Sequence, residues 1–152
     1  MKRISYGLLA ALLLSATAFA DQGQGQAFYE PKVLDTVKLA DGSVISRVSV
    51  SGFVVASDAK NPFHMVNQHC SGTNILAPGQ SEPTAYGYCE GLDRDGDAFF
   101  ISWANGPGGN TWRLLGGTGK FDGISGGGTT KTTYAWADGK YVIDWQGTWT
   151  MK

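Results

Sequence analysis

Three of the four Asp-Gly dipeptides, Asp41-Gly42, Asp95-Gly96 and Asp138-Gly139, each stand between two runs rich in β-branched and aromatic residues. Asp-Gly suits the two-residue type I′ turn, whose backbone twist matches that of paired antiparallel strands, so each dipeptide predicts a hairpin. The first joins 35–39 to a long strand at 43–56, in which Gly52 offers a bend point. The second joins 84–92 to 97–104, and the third joins 129–136 to 140–150. Between them lie a loop at 57–63 holding Asn61-Pro62, a strand at 64–71, a polar Gly/Pro loop at 72–83, a turn at 105–110 and a short strand at 111–115. Helical periodicity is absent. The pattern predicts an all-β fold, an antiparallel up-and-down β-barrel of about eight strands, a size that side chains can fill or that holds one small ligand.

The N-terminus reads as an export signal: Lys2 and Arg3, an apolar run at 8–14, and small residues ending in Ala18-Phe19-Ala20. The run falls short of the roughly 20 residues that cross a bilayer. Expected domains are therefore a signal peptide at 1–20, a flexible lead-in at 21–30 that begins with the Gln/Gly-rich Asp21 to Gln26, and a barrel at 31–152. The mature chain is expected to be exported, periplasmic or secreted. Without Lys2 and Arg3, ten basic side chains face thirteen acidic ones, a formal charge of −3, and no basic run occurs. That balance argues against nucleic acid and against a membrane surface as partners. In an exported chain the two cysteines, Cys70 and Cys89, are expected to form one disulfide.

Alternation assigns the faces of the last strand: Tyr141, Ile143, Trp145, Trp149 and Met151 inward, Val142, Asp144, Gln146 and Thr148 outward. With Asp138-Gly139 as a two-residue turn, Trp136 opposes Tyr141 and Tyr134 opposes Ile143. With Asp95-Gly96 treated alike, Leu92 opposes Phe99, Glu90 opposes Ile101 and Tyr88 opposes Trp103, which places Glu90 and Tyr88 on the inner face and Cys89 outside with Ser102. A Cys70 to Cys89 bridge between neighbouring strands then sets His69 opposite Glu90, on the aromatic face. A carboxylate and an imidazole in an apolar interior form a pair whose protonation the surroundings tune, so Glu90 and His69 are the catalytic candidates.

Other motifs fail by particular residues. Asp93-Arg94-Asp95-Gly96-Asp97 has its glycine fourth rather than sixth, and Ala104 where a calcium loop needs a bidentate Glu. In the glycine-rich stretch 116–128, Leu114 and Phe121 break the phosphate-loop pattern and Asp122 breaks the dinucleotide fingerprint. Gly116, Gly117, Gly119, Gly123, Gly126 and Gly128 read instead as structural glycines at a strand bend. His64 and His69, five apart, fall on opposite faces of a regular strand, so no metal site is expected. No Gly-x-Ser-x-Gly elbow locates a nucleophile. No cofactor is implied.

The segment Gly-Gly-Thr-Gly-Lys-Phe-Asp-Gly-Ile-Ser-Gly-Gly-Gly at 116–128, followed by a strand, a turn and Gly147-Thr148-Trp149, resembles the barrels related to plant allene oxide cyclases and dirigent proteins, and small exported bacterial barrels without an assigned activity. The likeness is good over the C-terminal part of the chain and upstream rests on strand number and order. It implies a calycin-like barrel with an apolar cavity, in a chain that can form homo-oligomers, and it transfers no catalytic residue. The leading expectation is an exported barrel that binds a small apolar or aromatic ligand among Tyr88, Trp103, Tyr134 and Trp145. The alternatives are a cofactor-free isomerase or cyclase using Glu90 and His69, and a structural or partner-binding barrel with no ligand.

Overall fold

Each strand pairs antiparallel with the one that follows it, and the last returns to the first, so the sheet closes on itself. The computed structural model describes residues 20–151. The strands are β1 (Asp21–Lys38), β2 (Val44–Ala56), β3 (Val66–Leu76), β4 (Thr84–Leu92), β5 (Ala98–Asn105), β6 (Asn110–Gly117), β7 (Ser125–Ala135) and β8 (Tyr141–Thr150), with one 3-10 turn at Gly119–Phe121. The protein is thus an eight-stranded antiparallel closed barrel, the architecture its turn spacing predicts. The expected signal peptide, apart from Ala20, lies outside the described residues. Among the described residues no helix is long and apolar enough to cross a membrane.

The lead-in expected at 21–30 is instead structured: it is the first part of β1, paired with β8 from Asp21↔Trp149 to Tyr29↔Tyr141. Its lack of apolar bulk has a packing reason. A Cβ on Gly23 would stand 2.7 Å from the Trp149 ring, and one on Gly25 would stand 2.1 Å from the Val55 carbonyl oxygen. Composition that resembles a linker is what lets this strand lie tightly enough to seal the barrel.

All three Asp-Gly hairpins form, with a loop one residue longer than the type I′ reading. Leu39 N donates to Ser43 O at 2.8 Å, Asp93 N to Asp97 O at 3.1 Å, and Trp136 N to Lys140 O at 2.8 Å. Each therefore encloses three residues, x-Asp-Gly, with Gly42, Gly96 and Gly139 at φ of +89°, +88° and +90°. This is the turn-plus-bulge loop that needs glycine at its last position. One residue of turn shifts the pairing by one: Leu92 faces Ala98, Glu90 faces Phe100 and Tyr88 faces Ser102. In the last hairpin Ala135 faces Tyr141 and Tyr134 faces Val142. A one-residue slip exchanges the two faces of a strand, so β4 is turned over relative to expectation. Cys89 points in and Glu90 points out.

The Cys70–Cys89 disulfide forms between directly opposed residues of β3 and β4. Closing this loop, of sequence separation 19, stabilises the fold by about 3 kcal/mol in the chain-entropy picture. The lower end of the barrel is sealed by aromatics. Phe63, from the 57–63 loop, meets Trp149 at 4.8 Å, Phe99 at 4.9 Å and Phe121 at 5.8 Å between ring centroids. Phe121 is wholly buried and sits on the 3-10 turn, which is pinned by Thr118 N to Ala98 O at 2.7 Å and by Ala98 N to Thr118 Oγ1 at 3.0 Å. The glycine-rich stretch 116–128 therefore supplies the floor of the barrel.

A polar clasp locks that floor from outside. Lys120 Nζ pairs with the Asp93 carboxylate, which also accepts from Asp95 N at 2.8 Å and Asp97 N at 2.9 Å, while Asp97 Oδ2 accepts from Lys120 N at 3.1 Å. Desolvation raises the Asp93 carboxyl, and the Lys120 ammonium with the two amides outweighs it, holding the group below the ordinary carboxylate range.

Two outcomes follow from these loops. Gly96 has open space around its missing Cβ, so Gly96→Ala costs only the left-handed backbone, about 1 kcal/mol in urea unfolding, and Gly96→Asn costs less. Because the folded-state pKa of Asp93 is depressed, its stabilisation is present above about pH 4 and is lost as pH falls through the depressed value. Asp93→Asn is expected to lower stability at neutral pH by about 1–3 kcal/mol and to flatten the acid side of the stability–pH curve.

Candidate functional site

Inside the barrel, glycines on some strands face large rings on others. Following directly opposed residues round the sheet gives Val48, Gly72, Gly87, Trp103, Trp112, Gly128, Gly147 and Gly23. A Cβ on Gly72 would stand 2.4 Å from the Trp103 ring, and one on Gly147 would stand 2.3 Å from the Trp112 ring. Two indoles thus lie flat against opposite walls, each over a bare patch of backbone, and the middle of the barrel stays open. The space they frame is a cavity of about 480 Å³, within the range that holds small organic ligands.

The cavity is a cup. Its lower end meets Phe63 and Phe99, and its upper end reaches Pro83, Trp136 and Gly139 in the loops that join β3 to β4 and β7 to β8. No Asp, Glu, Lys, Arg or His occurs among the described residues that line it. Polarity is confined to neutral groups: Asn and Thr side chains higher up, and a cluster of Tyr29, Gln68 and Tyr141. The Tyr29 hydroxyl donates to Gln68 Oε1, and the two tyrosine rings stand 5.4 Å apart. Burial, with a smaller push from Tyr141, holds the Tyr29 phenol far above its ordinary range, and burial pushes Tyr141 up to about 12. The Cys70–Cys89 disulfide also forms part of the wall.

The barrel has known counterparts. A protein of unknown function from the DUF3224 family of Shewanella oneidensis MR-1 superposes with a TM-score of 0.68 at 8% identity, over 88% of this chain and 98% of that one. The pterocarpan synthase dirigent protein PsPTS1 gives 0.59 at 12% identity, over 86% and 96%. The pterocarpan synthase dirigent protein GePTS1 gives 0.57 at 13% identity, over 97% and 100%. At such identities the likeness is one of fold. No family model matches the chain, and no curated protein matches it.

Of the four residues expected to hold a ligand, Trp103 and Trp145 line the cavity. Tyr88 and Tyr134 do not: they are 65% and 57% exposed and stand on the outer face. His69 and Glu90 oppose each other across β3 and β4, as the disulfide register requires, and both are exposed outside the barrel. His69 Nδ1 lies 3.2 Å from Ser51 Oγ and its Nε2 lies 3.5 Å from Ser49 Oγ. The pair cannot move a proton within the cup. The expectation failed because it was built on the two-residue turn at Asp95-Gly96. Of the expected structural glycines, Gly119 at φ +55° and Gly123 at φ +72° adopt left-handed backbone that a side chain strains. Gly126 and Gly128 are close-packed, each Cβ position lying within 2.2 Å of a backbone oxygen of β8, and Gly126 also has φ +141°.

Sequence reading missed Tyr29, Gln68 and Trp112 as cavity residues. Tyr29 lies in the segment taken for a lead-in. Gln68 alternates with the buried Val66 and Cys70, and that period of two was the available signal.

The tyrosine pair predicts an alkaline limit. Its folded-state pKa values lie above the ordinary value of about 10, so the folded protein keeps protons that the unfolded chain has released. Stability is undiminished below about pH 10 and declines as pH rises from there through about 12. Phenolate absorbance is expected to show a late ionisation step that Tyr29→Phe and Tyr141→Phe each reduce.

Proposed function

We propose that this chain is an exported binding protein that takes up a small apolar or aromatic molecule through the open end of its cup. The observation that carries the reading is the cavity itself: about 480 Å³, sealed below, walled by indoles and aliphatic side chains, with a few neutral polar groups. An apolar guest gains about 25 cal/mol for each Å² of its surface removed from water, and little has to move to admit it. The pterocarpan synthase dirigent proteins that share the fold lend support, since their names attach this barrel to the chemistry of a small organic molecule. Export is supported by the leader-like 1–20 segment and by the disulfide, which persists in oxidising compartments. A cyclase or isomerase built on Glu90 and His69 has no counterpart among the lining residues.

The neutral fluorophore N-phenylnaphthylamine tests the reading. It is expected to brighten saturably at one site per chain and to quench the fluorescence of Trp103, Trp112 and Trp145. Ala85→Trp, which fills the upper part of the cup, is expected to weaken binding on the order of tenfold while the circular dichroism of the barrel is kept. A signal that never saturates, or one that Ala85→Trp leaves unchanged, overturns it.

A further inference from the structure

Gln68 is a buried polar side chain on a strand whose inward neighbours are Val66 and Cys70, and it borders the cavity at 7% exposure. One of its four hydrogen-bonding sites is used. Its carbonyl oxygen accepts from the Tyr29 hydroxyl, and its NH₂ donates to no group among the described residues. The indole N–H groups of Trp103, Trp112 and Trp145, whose rings also line the cavity, are buried away from it and lack a partner among the described residues. Polar groups in an apolar interior are rarely left unpaired, so an amide N–H that faces open space is one a guest can satisfy. The wall therefore offers the unused Gln68 amide donor and, among the described residues, no fixed charge.

Resting on the ligand-binding reading above, we infer that the cup selects an uncharged aromatic molecule bearing a hydrogen-bond acceptor, a carbonyl or ether oxygen, which takes the Gln68 amide N–H as its anchor. Tyr29 is the positioning residue: its O–H holds the amide so that the NH₂ remains for the guest. Anionic relatives of the same molecule are rejected. Among the described residues no Lys, Arg or His lines the cavity to pair a carboxylate, and an unpaired charge taken out of water is far more costly than an unpaired amide. Neutrality of the host persists into alkaline solution, since both tyrosines hold their protons.

Three probes of one shape separate the claims: ethylnaphthalene, naphthyl methyl ketone and naphthoate, each competed against N-phenylnaphthylamine. The ketone is expected to bind about tenfold more tightly than the hydrocarbon, and naphthoate at neutral pH at least tenfold more weakly than the ketone. Gln68→Met alone strands the Tyr29 hydroxyl, so the test variant is Tyr29→Phe with Gln68→Met, which removes both partners of the bond together. That double variant is expected to keep hydrocarbon affinity and lose the preference for the ketone, whereas Tyr29→Phe alone keeps part of it. Equal binding of ketone and hydrocarbon by the wild-type protein overturns the anchor, as does a double variant that keeps the preference. Naphthoate binding as tightly as the ketone overturns the charge selection. If none of the three displaces the fluorophore, the ligand-binding reading itself falls, and this inference with it.

Discussion

The contact on which the barrel depends is an aromatic ring laid against a glycine one or two strands away. It recurs at Phe99 over Gly91, Trp103 over Gly87 and Gly72, Trp112 over Gly147, Tyr29 over Gly52 and Trp149 over Gly23, at each of which a Cβ would intrude within 2.7 Å of the ring. Magnitudes explain the exchange. A glycine inside a strand costs roughly 0.5–1 kcal/mol in backbone entropy, whereas a buried ring of 150–250 Å² contributes on the order of 4–6 kcal/mol as an upper estimate. The glycine also changes the shape of the interior. A ring that can lie flat on its own wall does not need to stand across the barrel, so the protein buries indoles and keeps a cavity at the same time.

The two ends of the barrel use the same side chains differently. At the floor, Phe63 and Phe121 enter from connections rather than from strands, and their rings close on Phe99 and Trp149 with no space left between them. Higher up, Trp103 and Trp112 are drawn back onto glycines, and the centre stays open as the cavity. Residues 116–128, which by composition invite a phosphate-cradle reading, are explained by the floor: glycines give the chain its 3-10 turn and its close passage beside β8, and Phe121 is what the turn delivers.

Strand number, order and hairpin positions were legible because Asp-Gly marks a reversal whichever turn it makes. The faces were legible only where a strand declared them by its own alternation. On β8, Trp145 and Trp149 against Asp144 and Gln146 gave the true interior. On β4 the face was inferred across a turn, and Asp-Gly fits both a two-residue loop and the last two positions of a three-residue loop, which differ by the one residue that exchanges inside with outside. The strand's own composition reinforced the error. Its inward set is Ala85, Gly87, Cys89 and Gly91, and its outward set includes Tyr86, Tyr88 and Leu92. Size alternation therefore points the wrong way, because the inner face of β4 is small so that Phe99 and Trp103 of β5 can cover it. That reason belongs to two strands together and is not present in either alone.

The same inversion bears on what the protein can do. Turning β4 over carries Glu90 out of the barrel, and His69 goes with it by register, so the carboxylate and imidazole that would have made this a proton-transfer site are solvated on the outside. What comes inside in exchange is the disulfide, and beside it Gln68, a group that can hydrogen-bond but cannot ionise. An interior with only neutral donors can orient a guest and discriminate among guests by their acceptors and their charge, at a cost in desolvation of a few kcal/mol. Acid–base work of the Glu/His kind would require a titrating group close to the guest. The chemistry of the wall therefore suits holding and selecting a guest, the reading proposed above, better than transferring its protons.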